Sequence, residues 1–286
     1  MAERAAVDMS DVGLPEPSER ELETIIKLVY ERTGITLTSG KRSLVTTRLQ
    51  KRLRELSLDS YGDYLQYLDR DTSGQELVKF IDAMATNHTW FFREEQHFQL
   101  LGQRVLPELL KRSGGQIRGW CAASSTGEEP YTIVVSLLEA MPSGRQASIS
   151  LLASDISTKA LRTATNGVYP LDRVKNVPLP ILRKYFERGQ GDAEGLARVA
   201  PHVRRLVEYR RLNLLEIGDL GQRFDFIFCR NVMIYFDKTV QQRVVNMLER
   251  HLAPGGYLFI AHSEGLMGIT HQLTWVAPAA FQRRLA

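Results

Sequence analysis

Two adjacent carboxylates, Glu128 and Glu129, stand in a short polar loop, Ser124-Ser-Thr-Gly-Glu-Glu-Pro-Tyr131, within the stretch Gly119 to Glu139. An apolar run, Gly119-Trp-Cys-Ala-Ala123, precedes the loop, and Thr132-Ile-Val-Val-Ser-Leu-Leu-Glu139 follows it. The spacing predicts a strand that turns directly into a helix. Thr126 suits the N-cap, Glu129 stands three residues on as its capping-box partner, and Pro130 falls in the first turn, where its missing N–H costs nothing. A loop that cradles phosphate presents several glycines, or ends in Gly-Lys-Ser/Thr, so that bare amides and a cation meet the anion. This loop has one glycine and two acids. It repels phosphate and suits a ligand that carries ammonium, hydroxyl or sulfonium groups. Taken singly, either glutamate fits equally well as a complement to the helix dipole.

A third acid narrows the chemistry. Ser148 to Ser154 is a short apolar run ending at Asp155, which reads as a second parallel strand with a carboxylate at its tip, a position that binds a ribose diol in doubly wound folds. Phe224 to Cys229 reads as a third strand, ending in Arg230-Asn231, and Tyr257 to Ala261, after Pro254-Gly-Gly256, as a fourth. Strands alternating with helices predict an α/β fold, a doubly wound and mostly parallel sheet. Nicotinamide binding shares that topology, but the first loop lacks G-x-G-x-x-G. S-adenosylmethionine is the cofactor these residues favour.

Several longer strings then occur in order: Asn87-His-Thr-Trp-Phe-Phe-Arg93-Glu94, Ser125-Thr-Gly-Glu-Glu-Pro-Tyr131, Ser154-Asp155-Ile156, Asn213-Leu214-Leu215, Phe228-Cys-Arg-Asn-Val-Met-Ile-Tyr-Phe236 and His262-Ser-Glu264. They closely resemble the chemotaxis receptor methyltransferases of the CheR family, over about Asn87 to Gly265. The resemblance implies methyl esterification of glutamate side chains on methyl-accepting chemotaxis receptors, with S-adenosylmethionine consumed and S-adenosylhomocysteine formed. It also implies the site. Asn87, Thr89 and Arg93 would cover the cofactor from the linker side, and Glu129 and Asp155 would contact its amino-acid and ribose portions. Asn213 and Leu214 would flank the adenine, and Asn231 and Val232 would close the site near the methionine part. Arg93 and Tyr235 are the expected catalytic residues. The planar fork of Arg93 suits a carboxylate, and Tyr235 offers a hydroxyl near a strand tip, although an aromatic in Met233-Ile-Tyr-Phe236 also suits packing. His88 occupies a variable position of its motif and has no expected role.

Between Tyr185 and Leu212, a turn-rich loop (Gly189-Gln-Gly-Asp-Ala-Glu-Gly195) and two β-like runs, Leu196 to Ala200 and Leu206 to Leu212, predict an inserted antiparallel β-subdomain near 185–212. The resemblance implies that this subdomain binds the receptor's C-terminal tail as an added strand.

The first third of the chain has a different pattern. Leu22, Ile25, Ile26 and Val29 recur at helical spacing, as do Val45, Leu49, Leu53 and Leu56, and Leu77, Phe80, Ile81 and Met84, with a shorter helical stretch around Tyr61 to Leu68. These stripes predict an all-helical N-terminal domain over 15–85, leaving 86–286 for the cofactor domain. On the second helix Lys41, Arg48 and Arg52 fall on one line, with Lys51 and Arg54 on the same side. That face is either a solvated surface or the dock for an acidic receptor helix. A basic face also suits nucleic acid. However, Asn231-Val-Met-Ile-Tyr235 is not the Asn/Asp-Pro-Pro-Tyr of base methylases, and no Pro-Cys nucleophile is present. A nucleic-acid methyltransferase and a catalytically silent S-adenosylmethionine-binding adaptor remain as the alternatives.

Composition agrees with this reading. The 286 residues carry a net charge of +4, with 43% hydrophobic residues, enough for one large and one small core. No apolar run approaches the ~18 residues of a membrane span, and Met1 to Glu23 has no apolar signal core. The expectation is a cytoplasmic monomer that neither inserts into membranes nor binds nucleic acid. Cys121 and Cys229, both at predicted strand ends, read as structural thiols, and the six histidines show no metal-ligand spacing.

Overall fold

The structure, a computed structural model, describes residues 16–37, 40, 42–112, 114–145 and 147–285. They form two compact units. The first holds the described residues up to Arg32 together with Thr36–Met84, and the second holds Thr33–Ile35 and the chain from Ala85 onward.

The first unit is helical: α1 (Glu19–Thr33), α2 (Arg42–Leu56), α3 (Tyr61–Arg70) and α4 (Gln75–Met84). Ser18 and Glu21 close a reciprocal capping box on α1, with Ser18 N–H donating to Glu21 at 2.7 Å and Glu21 N–H to Ser18 Oγ at 3.3 Å. The helical stripes meet as the core. Leu22, Ile25, Val29, Val45, Leu49, Leu53, Tyr61, Tyr64, Phe80, Ile81 and Met84 are all buried. One charge is buried with them. Glu76 accepts Arg52 Nε at 2.7 Å and Nη2 at 2.6 Å, and Tyr64 donates to the same carboxylate at 3.0 Å. Arg48 donates to the Met84 carbonyl. These contacts involve two residues of the predicted cationic line. Arg52 is a structural partner of a buried acid rather than a free surface charge, Arg48 is engaged within the unit, and Lys41 lies outside the described residues.

The second unit is α/β. After α5 (Gln96–Leu100), a π turn and α6 (Leu106–Arg112), the chain enters β1 (Gln116–Ala122), α7 (Glu128–Ala140), β2 (Ser148–Asp155) and α8 (Thr158–Asn166). A small excursion follows: β3 (Val168–Pro170), α9 (Leu171–Val174), α10 (Leu179–Tyr185), β4 (Phe186–Arg188), β5 (Leu196–Val199) and α11 (Pro201–Arg204). The chain then returns through β6 (Val207–Arg211), β7 (Phe224–Cys229), α12 (Lys238–His251), β8 (Leu252–Phe259), β9 (Leu273–Ala277) and β10 (Ala280–Arg283). The main sheet has the order β6-β2-β1-β7-β8-β10-β9. Its first four pairings are parallel, and β10 is antiparallel to both β8 and β9.

The separate antiparallel sheet is β3-β5-β4. This alters the predicted subdomain. Leu196 to Ala200 belongs there, but the run Leu206 to Leu212 is the parallel edge strand of the main sheet, paired with β2. The third subdomain strand, Val168–Pro170, comes from upstream of the predicted insertion, and its proline sits at an edge, where a missing N–H breaks no ladder.

Alternation places the core on both faces. Ile117 and Cys121 of β1 pack into the layer of Phe98, Leu101, Leu109 and Tyr131, while Trp120 and Ala122 face Val244, Leu248 and Leu252 on the other side. Gly119 is where the Phe226 ring crosses β1, since a Cβ there would lie 2.2 Å from Phe226 Cζ and 2.8 Å from Leu151 Cδ1.

Candidate active site

Register builds the site. Ala122 is level with Ser154 on one side and with Cys229 on the other, so the next residues, Ala123, Asp155 and Arg230, emerge along one edge at the strands' carboxyl ends. Asp155 is also level with Arg211, so Leu212, Asn213 and Leu214 leave β6 at the same edge. From β1 the chain crosses to β2 and onward to β6, then returns to β7 on the opposite side. The crevice beside β1 is thus a topological switch point, where open α/β sheets bind ligands.

The first loop begins its helix one residue later than its sequence implies. The N-cap is Gly127, at φ 100°, and α7 starts at Glu128. Thr126 makes no capping bond, and its hydroxyl donates to Glu128 Oε2 at 2.6 Å. A side chain at 127 would strike Tyr169 and Ala164 within 2.9 Å, so only glycine fits that left-handed position. Glu129, released from the predicted capping box, turns into the unit. Its Oε2 accepts Arg230 Nη1 at 2.9 Å, and its Oε1 accepts the Cys121 thiol at 3.3 Å. Burial raises the Glu129 carboxyl above the ordinary glutamate range, and Arg230 opposes that shift only in part. Both cysteine thiols are pushed up by burial.

Asp155 fixes two turns at once. Oδ2 accepts Ser125 N–H at 2.8 Å and Oδ1 accepts Ser157 N–H at 2.8 Å. Asn87 reaches the same place, its amide 3.5 Å from Ser157 Oγ. Thr89 enters through its carbonyl, which accepts Arg173, and Arg173 also pairs with the fully buried Glu128. Arg93 lies over Trp90 at 4.3 Å and donates to the His88 carbonyl at 3.2 Å. Thus the segment Asn87–Arg93 is anchored on the loops after β1 and β2. On the other side Asn231, Val232 and Tyr235 occupy the turn after β7, with Tyr235 half-buried on a single 3-10 turn, Met233–Tyr235.

Sequence reasoning missed the group that joins these pieces. Arg230 is 3% exposed. It donates to Glu129, to the Arg93 carbonyl at 2.6 Å and to Glu94 Oε2 at 3.2 Å, with its guanidinium above Phe98 and Phe228. Its signal was present, since a lone arginine follows an apolar strand at Cys229-Arg230. Burial acts to raise the Glu94 carboxyl, but Arg230 and the His262 amide carry it below the ordinary range. Backbone strain gathers here too. Seven non-glycine residues among those described have positive φ, and five of them (Phe92, Glu94, Ala123, Ser125 and Asn231) belong to these segments, as at functional sites generally.

Although no sequence spacing suggested a metal, Glu94, His97 and His262 each bring a ligand atom within 4.8 Å of the others. The Glu94 carboxylate is already paired with Arg230, and a buried guanidinium at that distance opposes a second cation. Burial lowers His97 to a pKa of about 4 and keeps it neutral.

The donor set suits a ligand with ammonium and hydroxyl groups. Glu129 and Asp155 supply carboxylates and Asn231 an amide. Ser124 Oγ and Ser125 Oγ are enclosed in the first loop without a partner, leaving hydrogen-bonding capacity for such groups. The residues therefore fit the cofactor expected from sequence. Of the basic residues singled out on the second helix, Arg48 and Arg52 belong to the helical unit, and Lys41 lies outside the described residues.

Residues 20–85 match the model described as CheR methyltransferase, all-alpha domain, and residues 87–280 the model described as CheR methyltransferase, SAM binding domain. The chain is similar to chemotaxis protein methyltransferase 2 of Pseudomonas aeruginosa, with 41% identity over 265 residues, 92% of this chain and 93% of that one. It is 42% identical over 260 residues to the chemotaxis protein methyltransferase of Salmonella typhimurium, 90% of this chain and 88% of that one. With the chemotaxis protein methyltransferase of Borreliella burgdorferi it shares 37% identity over 269 residues, 92% of this chain and 94% of that one.

Proposed function

This chain belongs to the CheR methyltransferase family, and on that premise we propose that it esterifies glutamate side chains of methyl-accepting chemotaxis receptors, acting in the cytoplasm as a monomer. Its α/β unit is the family's S-adenosylmethionine-binding domain. No helix among the described residues is long and apolar enough to cross a membrane.

The observation that carries the reading is the convergence of Glu129, Asp155, Asn231 and the Arg93 peptide at the carboxyl ends of β1, β2 and β7, with Arg230 between them. When bound, S-adenosylmethionine supplies a methyl group made electrophilic by its sulfonium. Glu129 would hold the amino group of the methionine part and Asp155 the ribose hydroxyls. Asn213 and Leu214 would flank the adenine, Asn231 and Val232 would border the methionine part, and Asn87 and Thr89 would cover the cofactor. A glutamate with an ordinary pKa of about 4.3 is already ionised near neutral pH, so no strong general base is needed. What the protein contributes is alignment, a term worth roughly 7 to 11 kcal/mol in favourable cases. Arg93, held at the crevice by Trp90 and the His88 carbonyl, receives the substrate carboxylate, and the Tyr235 hydroxyl orients its attacking oxygen.

The receptor's C-terminal tail would add as a strand to an open edge of β3-β5-β4. Docking of the receptor helix belongs to the basic face of α2. Arg48 and Arg52 lie there, but Lys51 and Arg54 are its exposed cations. The test is transfer of labelled methyl groups to receptor-bearing membranes, with release of the label by mild alkali. Alkali-stable label, or transfer only to nucleic acid, would overturn the reading, since amides, amines and methylated bases resist such treatment.

A further inference from the structure

The turn that carries Asn231, Val232 and Tyr235 has little of its own to hold it. It begins just past the end of β7, places Asn231 at φ 58°, in the left-handed region that asparagine tolerates better than most residues, and makes only one 3-10 turn before Phe236. Its leading N–H groups have no partner within so short a helix. A single side chain collects them. Glu264 Oε2 accepts Asn231 N–H at 3.1 Å, and Oε1 accepts Val232 N–H at 3.0 Å and Ile234 N–H at 3.3 Å. Oε2 also accepts Ala261 N–H at 2.8 Å, which fixes the carboxylate to its own strand end. No lysine, arginine or histidine forms an ion pair with Glu264 among the described residues, so peptide dipoles alone stabilise the carboxylate. Such a nest of converging N–H groups suits an anion.

The neighbouring residues explain why a carboxylate belongs here. The segment 260–262 follows β8, next to β7 in the sheet, and His262 N–H donates to Glu94 Oε2 at 3.1 Å. The His262-Ser-Glu264 turn therefore touches both walls of the crevice, the segment 93–94 through Glu94 and the segment 231–234 through Glu264.

We propose that Glu264 is a positioning residue for the methyl transfer, its carboxylate setting the turn from Asn231 to Tyr235 by accepting that turn's backbone N–H groups. Both of its carboxylate oxygens are taken up by backbone N–H groups. Its effect passes through Asn231 and Val232 to the cofactor and through Tyr235 to the attacking glutamate. The inference rests on the functional reading for Tyr235, but the geometry of the turn stands without it.

A side-chain amide in place of the carboxylate keeps the size but leaves one acceptor oxygen and turns an N–H₂ toward the other donors. Glu264→Gln should fold, weaken S-adenosylmethionine binding by about 10-fold and lower kcat by about 10- to 100-fold, as loss of one to two charged hydrogen bonds implies. Receptor KM should change less than about threefold, because docking lies elsewhere. Glu264→Asp, which keeps the charge but is one methylene shorter, should recover part of both losses. Hydrogen exchange on the unaltered protein provides a check independent of any variant's folding, since the Asn231, Val232 and Ile234 amides should be protected. Unprotected amides there, or wild-type cofactor affinity and kcat in Glu264→Gln, would overturn the proposal. If the wild-type protein transferred no alkali-labile methyl to receptor, the functional reading would fail instead, and cofactor affinity and exchange would still report on Glu264.

Discussion

At the scale of single residues, the site depends on one buried cation. Arg230 offers a planar fork to three oxygens, those of Glu129, Glu94 and the Arg93 carbonyl, over an aromatic floor. Removing one partner of a buried ion pair is far costlier than the pair is stabilising, because the remaining charge stays desolvated. Among the described residues Glu129 has one other hydrogen-bond donor, the Cys121 thiol, and the charge of Arg93 adds a smaller contribution, while burial still raises its carboxyl. Arg230→Gln is therefore expected to lower unfolding free energy by on the order of 3 to 5 kcal/mol and to weaken S-adenosylmethionine binding as the Arg93 peptide and Glu129 lose their common anchor. Urea denaturation together with calorimetric titration of cofactor is the measurement. Wild-type values in both would reduce Arg230 to a packing residue.

At the scale of the element, α2 divides its charges between two tasks. Arg52 faces inward on Glu76, which is 2% exposed, whereas Lys51 and Arg54 face solvent, the former in a loose 3.9 Å pair with Glu55. Reversing Arg52 to glutamate should unfold the helical unit, since it sets a second carboxylate against Glu76. Reversing Lys51 and Arg54 should leave stability within about 1 kcal/mol. The surface pair is the proper test of docking. Their reversal should raise receptor KM and flatten its salt dependence while cofactor affinity holds, because exposed charges act on encounter and are screened by salt. Thermal melts and kinetics at several salt concentrations separate the two effects. Unchanged KM in the Lys51 and Arg54 reversal would mean that receptor selection resides elsewhere.

At the scale of the whole molecule, buried titratable groups set the response to acid. His97 packs between Phe259 and His262, 1% exposed, with Glu94 Oε2 3.6 Å from its Nδ1 and Arg230 beside that carboxylate. Burial and Arg230 lower its pKa from 6.5 to about 4. Between these values the unfolded chain binds a proton that the folded chain refuses, so stability is present above the unfolded value and falls as pH drops toward 4. The loss from this group is on the order of 3 kcal/mol. Glu94, held below its ordinary range, adds to the loss at lower pH, since its contribution disappears as it protonates. Urea denaturation across that interval should show the decline, and His97→Phe should flatten it. A wild-type slope in the variant would assign the acid sensitivity to other groups.

Much of this was readable from sequence because it rests on local patterns. The apolar stripes of α1, α2 and α4, the strand runs ending at Asp155 and Cys229, and the acidic loop between β1 and α7 each depend on residues close in the chain, where periodicity and turn chemistry act. Chain order also implied the parallel sheet. What sequence could not decide was partnership across distance. A basic line on α2 reads as surface until Glu76, 24 residues on, is found to bury against Arg52. A capping box at Thr126 and Glu129 looks complete until Arg230, 101 residues away, takes the glutamate inward. The run Leu206 to Leu212 alternates like any short strand, and only the free edge of β2 determines that it joins the main sheet rather than the small one. Glu264 carries no sign of its role in sequence, because its partners are backbone N–H groups, which every residue but proline has and which only the folded chain brings together.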